Sequence, residues 1–182
     1  MNLLLKIARI YLPDFIKKKK LLELFELTAE ALQKELPAVR NLSYRDCLAA
    51  YARFSQTRAA EVLRLQLDPD AVKKRLYKNA FQLGEKLRRE FRLKSKEDVI
   101  QLSEILYQVL QIDFSATASG EVTIRRCFFS QFYSPEVCAL ISALDEGVAA
   151  GLSDGGELVF QERITEGKSC CRATFKLKEE SE

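Results

Sequence analysis

The sequence predicts an α+β fold in which N-terminal helices pack on an antiparallel sheet of about four strands, with one helix inserted between the strand pairs. Three observations predict this fold. Apolar residues recur at helical spacing through the first two-thirds of the chain. Beyond Gln111, alternating apolar and polar residues are separated by turn sequences. The chain also has only 7 glycines and 4 prolines, which disfavours an all-β sandwich with many turns.

The helical part divides into four predicted helices at capping residues. The first helix follows the lysine tetrad 17–20, which we interpret as a solvated face, and it ends before Pro37. The predicted N-caps of the next three helices are Ser43, Asp68 and Ser95. Their side-chain oxygens can accept hydrogen bonds from the unpaired N–H groups of a first helical turn.

The last third of the chain predicts two strand pairs with a helix between them. The predicted strands are 112–114, 121–129, 158–163 and 169–177. Ser134 and Pro135 begin the intervening helix as its N-cap and first residue. The turn 153–156 separates this helix from the final hairpin.

The composition excludes several kinds of chemistry and partner. The chain has 182 residues, 29 lysines and arginines, 26 aspartates and glutamates, a net charge of +3 and no histidine. Without histidine there is no Ser-His-Asp or Cys-His pair and no histidine-ligated metal or haem. Such a small net charge does not indicate a nucleic-acid partner, and no apolar run is long enough for a membrane span. We therefore expect no cofactor, no metal and no nucleic acid.

The five cysteines indicate a reducing compartment. Their number is odd, and Cys170 and Cys171 are adjacent, which is not the pattern of a disulfide framework. We therefore predict free thiols and a cytoplasmic location. Adjacent strand residues point to opposite faces, so one of this pair should face the core and the other the solvent. A zinc ion or iron–sulfur cluster is for the same reason the less favoured alternative.

The predicted domain division separates a helical N-terminal extension, residues 1–69, from an α+β small-molecule-binding or hydrolase-like domain, residues 70–182. The two parts are expected to form one compact unit, because no linker sequence divides them. An alternative interpretation makes residues 15–65 a helical surface for a partner protein. Gly147 and Gly151, spaced four apart, let another backbone approach closely, which predicts tight helix packing or a dimer contact.

Cys127 and Asp145 are the main candidates for chemistry. Cys127 lies where a predicted strand leaves the sheet, beside Arg125 and Arg126, whose charge would lower the pKa of the thiol. Asp145 lies in an apolar helical run, with Ser142 on the same helix surface, and burial would raise its pKa and suit it to act as a general base. The alternatives are a small buried hydrophobic side chain for Cys127 and an exposed acid for Asp145.

Short motifs in the second half of the chain resemble a known family. The segments 127–129, 163–167 and 171–175, together with Cys138 and Asp145, are similar to the C-terminal part of the L-2-amino-thiazoline-4-carboxylic acid hydrolase-like proteins. Those proteins carry a cysteine at a strand end, an aspartate in the next helix and a Gly-xxx-Cys hairpin. The resemblance implies an α+β fold and hydrolysis of a C–N or C=N bond in a small acid.

A second resemblance overlaps the first. The segment 76–84 and the element order that follows it are similar to the small-molecule-binding domain named after 4-vinyl reductases, whose fold is related to vesicle-tethering TRAPP subunits. This resemblance implies a non-catalytic, dimeric ligand-binding or sensory domain. The chain departs from the two patterns at Arg163 and Ser142, positions where the families have cysteine.

The two resemblances lead to two hypotheses about the site. In the hydrolase, Cys127 is the nucleophile or a thiolate stabiliser, Asp145 activates water, and Arg125 or Arg126 holds a substrate carboxylate. The further substrate-binding candidates are Ser142, Glu162 and Cys171. In the binding domain, a closed apolar pocket takes the ligand and the chain forms a homodimer. The aromatic candidates for lining that pocket are Phe128, Phe129, Phe132, Tyr133 and Phe160.

Overall fold

The chain folds as helices packed on one face of a four-stranded antiparallel sheet, in a computed structural model that describes residues 11–176. The helices are α1 (Asp14–Ala31), α2 (Tyr44–Arg64), α3 (Pro69–Phe91), α4 (Lys96–Val109), α5 (Pro135–Ile141) and α6 (Ala143–Leu152). The strands are β1 (Ile112–Ala116), β2 (Glu121–Cys127), β3 (Glu157–Glu162) and β4 (Cys171–Lys176), in the order β1-β2-β4-β3. The predicted α+β fold is confirmed. The outer parts of the two predicted domains, residues 1–10 and 177–182, lie outside the described residues.

Capping side chains fix the starts of four helices. Ser43, Asp68, Ser95 and Ser134 each accept a hydrogen bond from the backbone N–H three residues further on. Asp98 accepts a bond from the N–H of Ser95 in return, so α4 begins with a reciprocal capping box. The N-caps predicted from sequence are confirmed.

The first helix differs from its prediction at both ends. It begins at Asp14, so the lysine tetrad 17–20 lies inside the helix rather than before it. It ends at Ala31, and Gln33 then takes a left-handed conformation with a φ of 54° before Pro37 is reached. A local left-handed residue, rather than the proline, therefore stops α1.

The single helix predicted after Ser134 is divided in two at Ser142. The carbonyl oxygen of Cys138 accepts both the N–H of Ser142, at 2.9 Å, and its hydroxyl, at 2.7 Å. A serine that bonds back to the preceding turn in this way bends helices. The bend separates α5 from α6 and directs α6 along the sheet.

Glycines allow α3 and α6 to pack backbone against backbone. A Cβ atom on Gly151 would overlap the carbonyl oxygen of Phe81, and one on Gly147 would overlap that of Tyr77. A Cβ atom on Gly84 of α3 would meet the carbonyl oxygen of Val148 at 2.5 Å. The expectation of tight helix packing is therefore confirmed, and the glycine face is occupied within the chain.

Two register shifts decide which side chains of the sheet face inward. Between β1 and β2, Arg125 is an extra residue, since Asp113 pairs with Arg126 and Phe114 pairs with Ile124. Strand alternation would otherwise direct Arg126 inward and Cys127 outward; the bulge reverses both. A second shift, between Phe160 and Glu162 on β3, turns Glu162 to the outer face of the sheet, opposite Arg172.

The buried residues form three clusters that meet above the sheet. One cluster joins the sheet to α3, α4 and α6 around Leu87, Leu102 and Phe175. A second, around Leu76 and Leu140, joins α2, α3, α5 and α6. The third joins α1 and α2 to the turn after β2. Side chains of all three clusters surround one internal cavity, which is the candidate site.

Candidate functional site

The candidate site is an internal cavity of about 150 Å³ between the sheet, α4 and α6. Most of its lining is apolar, including Leu106, Val122 and Val148. Residues of α1 and α2 also contribute, among them Leu24 and Tyr51. The cavity is therefore formed by elements from along the whole described chain and not by one hairpin or helix pair.

One end of the cavity carries a carboxylate held by a tyrosine. The hydroxyl of Tyr107 on α4 donates a 2.9 Å hydrogen bond to Oδ1 of Asp145 on α6. The ring of Tyr107 is stacked on Phe114 of β1, with ring centroids 4.3 Å apart and the planes 5° from parallel. Since β1 and α4 both fix the tyrosine ring, its hydroxyl is directed at the carboxylate rather than at solvent.

Burial dominates the electrostatics of Asp145. Desolvation raises the pKa of this carboxyl group from 3.8 to about 6, against a smaller lowering by the hydrogen bond from Tyr107. The neighbouring carboxylate of Glu146 raises the pKa further, and the charge of Arg163 lowers it. Asp145 is surrounded by protein but keeps some accessible surface, because it lines the cavity.

Cys127 lines the same cavity as a protonated thiol. The N–H groups of Phe129 and Ser130 favour the thiolate, but desolvation outweighs them and raises the pKa of Cys127 to about 12. The expectation that Arg125 and Arg126 lower this pKa is wrong. Both arginines are exposed. Regular alternation from Ile124 directs Arg125 outward, and the bulge turns Arg126 to the same side, away from the side that Cys127 faces.

Arg125 and Arg126 have partners outside the cavity. The guanidinium group of Arg126 lies 3.8 Å from the Asp113 carboxylate, and Arg125 donates to the hydroxyl of Ser115 at 3.5 Å. Neither arginine lines the cavity, so neither reaches a molecule bound there. Lys20, near α3, is the one basic side chain in the lining that the described residues supply, and it pairs with Glu23 at 3.0 Å.

Two further cysteines line the cavity. Cys138 on α5 and Cys171 on β4 both have a raised pKa, chiefly because they are desolvated. Cys171 faces the core as one member of the adjacent pair was expected to, while Cys170 is half-buried. All five cysteines are free. Among the described residues, no group of three or more cysteine, aspartate or glutamate side chains is arranged to hold a metal ion.

The remaining candidates fall on both sides of the sheet. Ser142 lines the cavity, with its hydroxyl already donated to the carbonyl of Cys138. Glu162 lies outside the cavity, where it pairs with Arg172 at 3.3 Å and with Lys168 at 3.7 Å. The bulge on β3 explains this position, because regular alternation from Leu158 would have turned Glu162 inward.

The aromatic candidates are also divided. Phe129 and Tyr133 line the cavity, whereas Phe128 lines an open cleft on the outside of the protein. Phe132 and Phe160 are in neither lining. Phe160 instead lies under the guanidinium group of Arg163, 4.9 Å from the ring centroid.

The open cleft adjoins the cavity across a thin wall. Ile112, Phe114 and Cys127 belong to the lining of both. Arg126 and Glu104 lie on the cleft side of this wall. The side chains of Ile112, Phe114 and Cys127 therefore form the wall between the cleft and the cavity.

Sequence reasoning missed Tyr107, Phe114 and Thr165 as site residues. Tyr107 interrupts an otherwise apolar helix stripe, which is a weak signal, and its partner Asp145 is 38 residues away in the sequence. Thr165 lies in the turn between β3 and β4 and lines the cavity beside the Cys138 thiol. No local sequence pattern brings these three residues together. Tyr107 and Phe114 meet because α4 packs on β1, and the turn that carries Thr165 contacts α5.

Comparison with known proteins gives no family for this chain. No protein-family model matches the sequence, and no curated protein matches it. The resemblances therefore remain predictions. Within residues 11–176, none of the helices combines the length and apolar character needed to cross a membrane.

Proposed function

We propose that this protein binds a small, mostly apolar molecule in its internal cavity. The observation that carries the proposal is the cavity itself. Protein interiors are close-packed, and an empty space of about 150 Å³ costs about 3–4 kcal/mol of folding stability by the scaling found for engineered cavities. A ligand that fills the space restores the lost contacts, which gives the cavity a function.

The lining fits this proposal. Binding pockets for small molecules are mostly apolar and carry a few placed polar groups, here Asp145 and Tyr107 at one end. Three further residues of the thiazoline-hydrolase resemblance, Cys127, Cys138 and Cys171, also line the cavity. Both resemblances imply a small-molecule site, and this clustering supports placing it here.

Calorimetric titration with ethylbenzene tests the proposal directly. Apolar cavities of about this size hold single-ring molecules such as benzene. We expect the wild-type chain to bind ethylbenzene. The variant Val148→Phe, which places a ring inside the cavity, should lose that binding. Val159→Phe is the matched control, since Val159 is on the exposed outer face of the sheet and should leave binding unchanged.

Three outcomes of the titration support or contradict the binding proposal. Urea unfolding first checks that both variants are folded. Loss of binding in Val148→Phe alone supports the cavity. Equal binding in all three proteins places ethylbenzene elsewhere and contradicts the proposal, as does an absence of binding to wild type. If Val148→Phe is unfolded, Leu144→Phe replaces it, because Leu144 lines the same cavity.

A second candidate function is hydrolysis of a C–N or C=N bond in a small acid. The pKa of about 6 for Asp145 favours it, because a general base works best when its pKa lies near the operating pH. With the Cys127 thiol protonated, water activated by Asp145 would be the nucleophile rather than the cysteine. Loss of turnover of 2-amino-thiazoline-4-carboxylate in Asp145→Asn, measured by chromatography, would support this function; no turnover by wild type would exclude that substrate.

Binding of an apolar molecule is the favoured proposal because the cavity carries a negative charge that would repel an acidic substrate. A substrate carboxylate in the cavity would meet the Asp145 carboxylate, and Arg125 and Arg126 lie outside. From the free cysteines we also propose a cytoplasmic location, and from the resemblance a homodimer. Such a dimer would have to use a surface other than the face of Gly147 and Gly151, which packs on α3. Sedimentation velocity would test it, since a monomer throughout the micromolar range contradicts it.

A further inference from the structure

The cavity contains an acceptor whose hydrogen bonding is incomplete. Oδ1 of Asp145 accepts the Tyr107 hydroxyl, while Oδ2 has no hydrogen-bond partner among the described residues. An ionised carboxylate offers about four acceptor positions. A buried charged group without enough partners is strongly destabilising, so a bound molecule that donates to Oδ2 would be held firmly.

Most hydroxyl groups that line the cavity are already hydrogen-bonded, but that of Thr165 is buried without a partner among the described residues. Tyr107 donates to Asp145, Ser142 donates to the carbonyl of Cys138, and Ser130 donates to the carbonyl of Cys127. The hydroxyl of Tyr133 is bonded to Ser55 at 2.5 Å. A ligand that presents only acceptors would find the hydroxyl of Thr165, whereas a ligand that presents donors finds the Asp145 carboxylate.

No cation hydrogen-bonds to this carboxylate within residues 11–176. The positively charged group that lowers the pKa of Asp145 is Arg163. Its guanidinium group lies against Phe160 and 3.8 Å from Glu166. The other titratable groups around Asp145 are a carboxyl group, two phenols and three thiols, and none of them carries a positive charge. They are Tyr51, Tyr107, Cys127, Cys138, Glu146 and Cys171. The carboxylate end of the cavity therefore favours a positively charged group.

The rest of the lining limits the size and character of the ligand. The lining positions on and just before α6 run from Ile141 to Ala149, which at 1.5 Å per residue is about 12 Å. A cavity of about 150 Å³ accommodates a molecule of one ring or a short chain. The faces of Phe129 and Tyr133 are aromatic, and aromatic faces attract cations.

We propose that the ligand is a small amine with an apolar body, whose protonated nitrogen donates a hydrogen bond to Oδ2 of Asp145 inside the cavity. This inference rests on the proposed function, because it takes the cavity to be a binding site. It adds the chemical class of the ligand and the atom that recognises it.

Three probes of equal size and different head groups test the inference: benzylamine, benzyl alcohol and ethylbenzene. Calorimetry on the full chain at about pH 8, where Asp145 is ionised and the amine is protonated, gives the three dissociation constants. We expect benzylamine to bind about tenfold or more tighter than ethylbenzene, because a charge-assisted hydrogen bond replaces an unsatisfied acceptor. Asp145→Asn should remove that preference and leave ethylbenzene binding unchanged.

Two further variants separate recognition from a structural effect. Glu146→Gln removes the adjacent carboxylate, which is half-buried and outside the cavity lining, and should weaken benzylamine binding much less than Asp145→Asn does. Tyr107→Phe removes the one donor that competes for Asp145 and should tighten benzylamine binding relative to ethylbenzene. A merely structural role for Asp145 would not produce that gain.

The outcomes distinguish this inference from the proposed function. Ethylbenzene binding without a preference for benzylamine overturns the amine and leaves the cavity function standing. Benzyl alcohol binding as tightly as benzylamine also overturns it, in favour of a neutral donor. Absence of binding by all three probes contradicts the proposed function itself. If Asp145→Asn does not fold, the Tyr107→Phe comparison decides, since equal ratios in wild type and variant contradict the inference.

Discussion

The buried carboxyl group of Asp145 makes the stability of the protein depend on pH. Its pKa is raised to about 6 in the folded chain, while the unfolded value is near 3.8. The folded state therefore holds this proton more tightly, and the associated stability is fully present below about pH 4 and is lost as the pH rises through 6. The change amounts to roughly 3 kcal/mol for a shift of about two pKa units.

Asp145→Asn should therefore flatten this part of the pH profile. Asparagine keeps an oxygen for the Tyr107 hydroxyl but has no charge to desolvate. We expect the variant to gain stability relative to wild type as the pH is raised from about 4 to 7, measured by urea unfolding at each pH. Glu157→Gln, which changes an exposed carboxylate of β3, serves as the control. Parallel profiles for wild type and Asp145→Asn would contradict the raised pKa.

Cys127 should resist alkylation in the folded protein. With its pKa raised to about 12, only a very small fraction is thiolate at about pH 8, and the thiolate is the reactive form. Mass spectrometry of peptides after iodoacetamide treatment should show Cys127 modified at least about tenfold more slowly in buffer than in urea. Equal rates in the two conditions would show a reactive thiol and would favour the nucleophile that the hydrolase hypothesis assigns to it.

At the scale of elements, the contact between α3 and α6 depends on glycine. Gly151→Ala introduces a methyl group where the carbonyl oxygen of Phe81 already lies, so the two helices must separate. We expect a loss of about 3 kcal/mol of unfolding free energy, the upper end for overpacked cores. Denaturant unfolding measures it, and an unchanged midpoint would contradict the close approach of the two backbones.

Gly155→Ala is the matched control for that substitution. Gly155 has a φ of +99°, and no atom lies within 4 Å of the position that an alanine methyl group would take, so alanine there meets only backbone strain. Such strain costs about 1–3 kcal/mol, with no steric overlap added. The α3–α6 contact predicts that Gly151→Ala is the more destabilising of the two.

Sequence predicted those elements that depend on local chemistry. Ser43, Asp68, Ser95 and Ser134 cap their helices as expected, because capping needs only the residue and the N–H three positions on. The division at Ser142 was not predicted, since serine occurs in unbroken helices as well as at bends. The bulges at Arg125 and before Glu162 were also missed, because strand alternation is read on the assumption that register is regular.

At the scale of the whole molecule, those missed bulges explain what could be predicted of the site. Asp145, Ser142 and Cys171 line the cavity without the help of a bulge, whereas Cys127 lines it because the bulge at Arg125 turns it inward. The bulges turn Arg126 and Glu162 outward, and Arg125 faces outward in regular alternation as well.

Contacts between residues far apart in the sequence were the hardest to predict. The contact of Tyr107 with Asp145 spans 38 residues, and it exists because α4 packs on β1 while α6 packs on α3. Nothing in the local sequence of either residue specifies the other. The absence of histidine leaves acid–base chemistry near neutral pH to carboxyl, thiol, amino or phenol groups with shifted pKa values, and the pKa of Asp145 is raised to about 6.

If the proposed binding function is correct, the glycine contact between α3 and α6 also limits how the ligand range can evolve. On that side the backbones touch, so the space cannot widen without breaking the fold. On the opposite side, α4 and β1 meet through the side chains of Tyr107 and Phe114, which mutation can shorten or enlarge. Homologues with different ligand sizes should therefore retain Gly147 and Gly151 and differ at positions 107 and 114. An alignment in which the glycines vary as freely as those two positions would contradict this expectation.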